Sequence, residues 1–323
     1  MDQPKGSSNG GYEPHPPPYS PQYNGPSSYM GMSYENFPEA LLELAVLLLV
    51  WVNQMGKDSV SVISPPANYE NMVHPVDMAA AEGDQQYGQA PPDYSQGLED
   101  RAFSDAAIRR GFIRKVYLTL MIQLLVTIGI ICAFLYWDTL REWTLDNYWF
   151  SYSMMAVVLV LILVLSCCDN LRRQVPLNFI ALGLFTVAEG LMLGSVAAFF
   201  EAEAVLWAVG ATALVSFSLT LFALQSKWDF TAASGSLWVF CWTLLSFALL
   251  CAIFRSQYLN ILYASLGTLV FSLYMVCDTQ LILGGKHKKY QLSPEEYVFA
   301  ALNLYLDIVS LFLVLLQLIG LCR

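Results

Sequence analysis

The chain has 323 residues with 16 Lys and Arg against 26 Asp and Glu, a formal net charge of −10, and 56% of it is hydrophobic while 13% is charged. A soluble domain averages about 25% charged residues, so composition excludes an ordinary soluble enzyme and predicts a chain that crosses a membrane several times. Residues 1–108 hold 14 acids and 3 bases, and the remainder is near neutral. The acidity therefore belongs to a tail, and no nucleic-acid partner is expected.

Residues 1–108 read as a disordered, cytosolic tail rich in Pro, Gly and Tyr, which cannot bury enough apolar surface to offset its ordering entropy. The first 36 residues lack the apolar core of a cleavable signal peptide, so insertion is expected to use an internal span. Two PPxY strings occur, Pro16-Pro17-Pro18-Tyr19 and Pro91-Pro92-Asp93-Tyr94. Their extended polyproline form suits the aromatic groove of a WW domain, with Pro16, Pro17, Tyr19, Pro91, Pro92 and Tyr94 as the ligand residues; chance occurrence in a Pro- and Tyr-rich tail is the competing reading. Ala40–Val52 is an apolar run broken only by Glu43. Thirteen residues are too short to cross about 30 Å of hydrocarbon, so an interfacial helix over 38–53 is expected rather than a span.

From residue 109 to 323 apolar runs of spanning length repeat: Val116–Trp137, Trp149–Cys168, Pro176–Phe200, Ala204–Leu224, Ser236–Phe254, Leu259–Leu283 and Tyr297–Gly320. They are continuous rather than alternating, which predicts seven transmembrane helices and not a barrel. One side of the membrane collects Arg109, Arg110, Arg114, Lys115, Arg172, Arg173, Lys227, Lys286, Lys288 and Lys289; the other collects Arg141, Arg255 and Arg323. That asymmetry puts the tail in the cytosol. The loop 138–148 carries Asp138, Glu142 and Asp146 and reads as an acidic outer connection or an ordinary solvated one.

The seven cysteines form no C-x-x-C pair and the three histidines are scattered, so neither a disulfide framework nor a metal centre is expected, and no cofactor. The chemistry lies in three acids within apolar runs: Glu189, Asp278 and Asp307. A carboxylate at the bilayer centre costs roughly 2.5–3.5 kcal/mol on insertion scales, so each needs a reason. Ser293-Pro294-Glu295-Glu296 matches a capping box and starts the seventh helix. Asp307 then lies about 16 Å along it, near mid-membrane. Asn303, Asp307, Ser310 and Gln317 share a stripe interrupted by Val314, which must face protein or a watery cavity and makes this helix central. Asp278 sits close to the basic hairpin 284–290 that turns the sixth helix into the seventh. The two aspartates are thus at similar depth on antiparallel neighbours, where both cannot ionise cheaply and one proton is expected to be shared. Glu189 lies beside Gly183, Gly190 and Gly194, which would let a neighbouring backbone approach. Three buried acids with no intramembrane base favour a cation or proton route, with Glu189, Asn303 and Ser310 as candidate path residues.

An intramembrane aspartyl protease also uses two aspartates, but its second follows a Gly-x-Gly turn, whereas Leu304-Tyr305-Leu306 precedes Asp307. No H-E-x-x-H, phosphate-loop or EF-hand string occurs, and no Asp-Arg-Tyr follows the third span as in a G-protein-coupled receptor.

The strings Arg114-Lys115-Val116-Tyr117, Gln123-Leu124-Leu125-Val126-Thr127, Arg172-Arg173 before Pro176-Leu177-Asn178, Gln225 to Thr231, Asp278-Thr279-Gln280, and Ser293 to Tyr297 through Asp307-Ile308 resemble the transmembrane Bax-inhibitor-motif family, most of all its Lifeguard (glutamate-receptor-associated) branch. They cover residues 108–322 in order. The resemblance implies six helices in two three-helix layers around a central C-terminal helix. It implies a pH-sensing gate on Asp278 and Asp307, a latch arginine falling on Arg172 or Arg173, Ca²⁺ as the permeating ion, and restraint of apoptosis from endoplasmic reticulum or Golgi membranes, with plasma membrane or endolysosome as other locations. The expected function is a non-enzymatic, pH-sensitive Ca²⁺ leak channel. The alternative is a non-transporting membrane adaptor that binds WW-domain ubiquitin ligases and cell-death regulators or receptors; the remote one is the protease. Glu189 and the Ala40–Val52 run stand outside the family pattern.

Overall fold

The computed structural model describes residues 42, 44–46, 49, 62–63, 92–168, 174, 176–254, 256–284 and 290–322, with the backbone alone over 92–106 and at 167 and 233–235. Helices dominate it. They are α1 (Pro92–Tyr136), α2 (Asp138–Asp146), α3 (Trp149–Cys167), α4 (Leu177–Ala197), α5 (Ala202–Gln225), α6 (Ser234–Phe254), α7 (Gln257–Leu283) and α8 (Tyr297–Cys322). Two 2-residue strands, β1 (Val62–Ile63) and β2 (Gln291–Leu292), pair antiparallel. Seven helices among the described residues are long and apolar enough to cross a membrane, all but α2. An apolar span must close its backbone hydrogen bonds within itself, which is why each run forms one uninterrupted helix. The protein is a multi-pass membrane protein.

Helix α8 is the centre of the bundle. It packs on α7, α1, α5 and α4, while α3 and α1 flank α4 on one side and α5 and α6 flank α7 on the other. Two three-helix layers, α1/α3/α4 and α5/α6/α7, therefore enclose it. The stripe Asn303, Asp307, Ser310, Val314 and Gln317 is buried throughout. Polar side chains cannot face lipid cheaply, and their burial selects this helix for the middle.

Close approaches set the layers. A Cβ on Gly190 would stand 2.7 Å from Ile130, and one on Gly194 would stand 2.6 Å from Phe134. Gly183 has open space around it instead, so two of the three glycines carry the α1–α4 contact. These pairs, with Gln123 bonded to Thr186, rise together in sequence, so α1 and α4 run parallel. Between α7 and α8 a Cβ on Gly267 would meet Val314 at 3.0 Å.

Several local expectations change. The first helix begins at Pro92 rather than near Val116, and its apolar span runs from Ala107 to Tyr136. Proline suits a first helical turn because its missing N–H has no acceptor there. Residues 138–146 form a helix, not a loop, because Arg141 donates to Ala198 O and Phe200 O at the end of α4 and draws the segment onto the bundle. The capping box is not made: Ser293 forms no side-chain cap bond, and the backbone N–H of Glu296 donates to Ser293 O at 3.0 Å in a 3₁₀ turn, Pro294–Glu296. A 3₁₀ turn satisfies that amide with backbone alone, so the hydroxyl has no role in it. In the Ala40–Val52 run, Leu42, Ala45, Val46 and Leu49 are helical and buried at the i, i+3, i+4, i+7 spacing of one face, while Leu44 is exposed. Ala45 and Leu49 oppose Met155, Val158, Leu159 and Ile162 of α3 and Met192 of α4. This stretch covers a flank of the bundle rather than lying apart from it, because its apolar face matches an apolar groove.

Candidate functional site

The hairpin from α7 to α8 positions the two aspartates. The Gly267–Val314 contact sets an antiparallel register that places Asp307 level with Tyr274 and Asp278 level with Asn303. The two acids therefore differ in depth by about one turn, roughly 6 Å. Both are buried, Asp278 at 2% and Asp307 at 0% exposure. Tyr274 lies one turn before Asp278 on α7 and level with Asp307 on α8. Its hydroxyl donates to Leu237 O of α6 at 2.9 Å, which anchors the phenol between α6, α7 and α8. Both expected acids are thus buried on adjoining antiparallel helices, with Tyr274 between their levels.

Next to this pair lies a knot that ties three distant stretches. Gln280, two residues after Asp278, accepts from Phe230 N–H at 2.9 Å and donates to Trp228 O at 3.1 Å. Asp229 Oδ1 accepts from the Thr231 amide at 3.0 Å and its hydroxyl at 2.6 Å. Thr231 Oγ1 accepts in turn from the Tyr290 amide at 3.3 Å. The strings Trp228–Thr231 and Asp278–Gln280, remote in sequence, meet here.

Arg109 closes the same end. Its guanidinium donates to Leu281 O at 2.8 Å, to Leu283 O at 3.3 Å and to Leu292 O. The last carbonyls of a helix lack intrahelical donors and form its negative pole, so a cation there is well placed. A Cβ on Gly284, whose φ is 61°, would stand 2.6 Å from that guanidinium, so the turn needs glycine both for its backbone and for the room. Sequence reasoning counted Arg109 only toward membrane orientation. The sole local signal was its membership of the basic cluster before the first span.

Glu189 is buried at 0% exposure, but on another face. It lies one turn beyond Phe185, whose ring meets Tyr305 edge-on at 5.9 Å. Tyr305 and Asp307 point about 200° apart around α8. Asn303 and Ser310 stay with Asp307 on the buried stripe. Arg172 and Arg173, Pro16, Pro17, Tyr19 and Pro91 lie outside the described residues. Pro92 and Tyr94 fall in the first turn of α1, helical where an extended ligand was expected, since the proline fits that turn without strain. Among the described residues no group of three His, Cys, Asp or Glu side chains could hold a metal ion.

Residues 109–323 match the family described as Inhibitor of apoptosis-promoting Bax1. The chain belongs to the Bax-inhibitor family. Protein lifeguard 3 of Mus musculus is 36% identical over 259 residues, covering 79% of this chain and 83% of its own. Protein lifeguard 3 of Homo sapiens is 38% identical over 242 residues, covering 71% and 77%. Bax inhibitor 1 of Schizosaccharomyces pombe is 35% identical over 280 residues, covering 80% of this chain and 98% of that one. The Bax-inhibitor match begins at Arg109, the residue that clamps the end of α7. It takes in both aspartates and the Gln280 knot but not the described tail residues.

Proposed function

We propose that this protein is a pH-sensitive Ca²⁺ leak channel of an intracellular membrane, endoplasmic reticulum or Golgi, and that it restrains apoptosis. The observation that carries this reading is the burial of Asp278 and Asp307 about one turn apart in depth on antiparallel neighbours, with the end of α7 tied down by Arg109 and Gln280. Two carboxyl groups this close share a proton when the helices are packed. Losing it sets like charges against each other and loosens α7 from α8. Asn303, Asp307 and Ser310 would line the cation path, and Arg172 or Arg173 would clamp the closed form. The tail and the basic hairpin face the cytosol. The match to a family described by inhibition of apoptosis-promoting Bax1 supports the cell-death role. No step calls for enzymatic chemistry.

Ca²⁺ flux through purified protein in vesicles, followed across a pH series, tests the gate. Asp307→Asn is expected to abolish the pH response. An unchanged titration would remove the pair from the mechanism.

One observation favours a second reading, in which the tail recruits WW-domain ubiquitin ligases through its PPxY strings and the membrane domain binds cell-death regulators or receptors. Val62–Ile63 of the tail pair with Gln291–Leu292, directly ahead of α8, so a partner on the tail would pull on the gate's own hairpin. Deleting residues 1–91 should leave flux intact under the channel reading and abolish protection under the adaptor reading.

A further inference from the structure

The face of α8 turned away from Asp307 carries a second polar cluster, between α1, α4 and α8. Gln123 Nε2 donates to Thr186 Oγ1 at 3.1 Å, and that hydroxyl donates to Leu182 O at 2.8 Å. Thr127 Oγ1 donates to Gln123 O at 2.9 Å. A hydroxyl has one proton to give, so in the 2.8 Å contact between Thr127 and Tyr305 the phenol is the donor. Every hydroxyl proton in the cluster is thereby committed, and Gln123 Nε2 keeps one N–H beyond the bond to Thr186. Glu189 lies between the Gln123–Thr186 bond and the Gly190–Ile130 contact, level with Thr127 and Tyr305. Both of its oxygens are buried without a hydrogen-bond partner, and so is Gln123 Oε1.

Two spare acceptors share this level with Glu189, the Tyr305 oxygen, with its proton given to Thr127, and the orphaned Gln123 Oε1, and no donor, the second Gln123 N–H included, reaches either carboxyl oxygen. An ionised carboxylate accepts only. A carboxylic acid is the one form of this side chain that can donate to either. The charged form would also stand unpaired and dry, the costliest state for a carboxyl group. No base offsets it. Tyr305 is the titratable group that α8 turns toward it. The polar groups α1 brings are Gln123 and Thr127, with Arg109, Arg110, Arg114 and Lys115 two turns or more to one side. Helix α3 has no charged residue, and the described residues 42–49 on this flank are apolar. A divalent cation is a poor occupant. Ca²⁺ takes six to eight oxygens, usually with several carboxylates, and Glu189 is the lone acid here.

We propose that Glu189 is a second protonation site, whose bound proton keeps the contact between α1, α4 and α8 uncharged and closed. It is distinct from the aspartyl pair and does not depend on the leak reading. When the proton leaves, the bare carboxylate must draw water into the contact or part the helices. Alkaline conditions therefore loosen this side of the bundle while the gate on the other face titrates separately.

Infrared spectroscopy of the purified protein in lipid tests this, since a protonated carboxyl gives a carbonyl band that shifts in deuterated water. At neutral pH the wild type is expected to show such a band, Glu189→Gln to lose one carboxyl's share of it, and Asp307→Asn to keep that share. A spectrum unaltered by Glu189→Gln at neutral pH would overturn the proposal. Glu189→Gln preserves shape and should melt with the wild type. If it does not fold, Glu189→Asp keeps the acid and must move the band rather than leave it in place; an unmoved band overturns the site as well. The readout involves no ion flux, so loss of the band in a protein that passes no Ca²⁺ would uphold the proton site and sink the channel, and the converse result would do the reverse.

Discussion

Helices α6 and α8 are equally apolar by hydropathy, yet 72% of the α8 span is buried within the protein against 28% of the α6 span. In water, apolar residues go inside. In lipid both sides of a helix wall are greasy, so hydropathy says which helices enter the membrane and nothing about which lie at the centre. Polar side chains and small residues decide that. Helix α8 carries Asn303, Asp307, Ser310 and Gln317, all buried. Helix α6 carries no carboxyl, amide or basic side chain, and Thr243 and Ser246 return their hydroxyls to their own backbone at Val239 and Trp242. Nothing in α6 demands a protein neighbour, so lipid suffices.

Paired substitutions test that contrast. The largest effect should come from volume at the centre. Phe299→Ala in α8, where the ring is 2% exposed, is expected to cost about 3–5 kcal/mol of unfolding free energy in detergent. Phe217→Ala in α5, where the ring is 65% exposed, should leave the unfolding midpoint unmoved. If both lower stability alike, the lipid-facing helices are packed after all. Smaller is the glycine pair. Gly194→Ala drives a methyl to within 2.6 Å of Phe134, and overpacking of this kind costs about 1–3 kcal/mol. Gly210→Ala meets nothing within 4 Å and should gain about 0.5–1 kcal/mol from helix propensity, so the two variants should shift the midpoint in opposite directions. The smallest effect is a single hydroxyl. Tyr305→Phe loses the 2.8 Å bond to Thr127, and interhelical bonds in membranes average about 0.6 kcal/mol. Ser218→Ala loses a bond to its own helix at Leu214 O and should be silent.

The same contrast explains what could be read ahead of the structure. Each of the seven spans is a local property of a run of residues, and all seven were legible. The centrality of α8 was legible from the spacing of its polar residues, and so was the burial of Asp278 and Asp307. Arg109 was not, because its acceptors Leu281 and Leu283 lie more than 170 residues away and are backbone atoms that any sequence supplies. The pairing of Val62–Ile63 with Gln291–Leu292 is hidden for the same reason. Helix α2 depends on Arg141 finding the end of α4, a match that no pattern in 138–146 encodes. The Ser293 cap failed in the other direction: its motif was present, and backbone geometry made it unnecessary.

The helix at the heart of the bundle comes after the other six spans in the chain, and that order has a consequence for biogenesis. A ribosome delivers residues at about 5–20 per second, so α1 to α7 must wait in the bilayer around a vacancy that only α8 can fill. During that interval Thr127 lacks the Tyr305 hydroxyl, and Arg109 can hold Leu281 and Leu283 but not Leu292. The nascent protein should therefore be most exposed to quality control just before its last hydrophobic stretch leaves the exit tunnel. A frameshift or stop beyond Leu283 would strand six otherwise sound spans with no keystone.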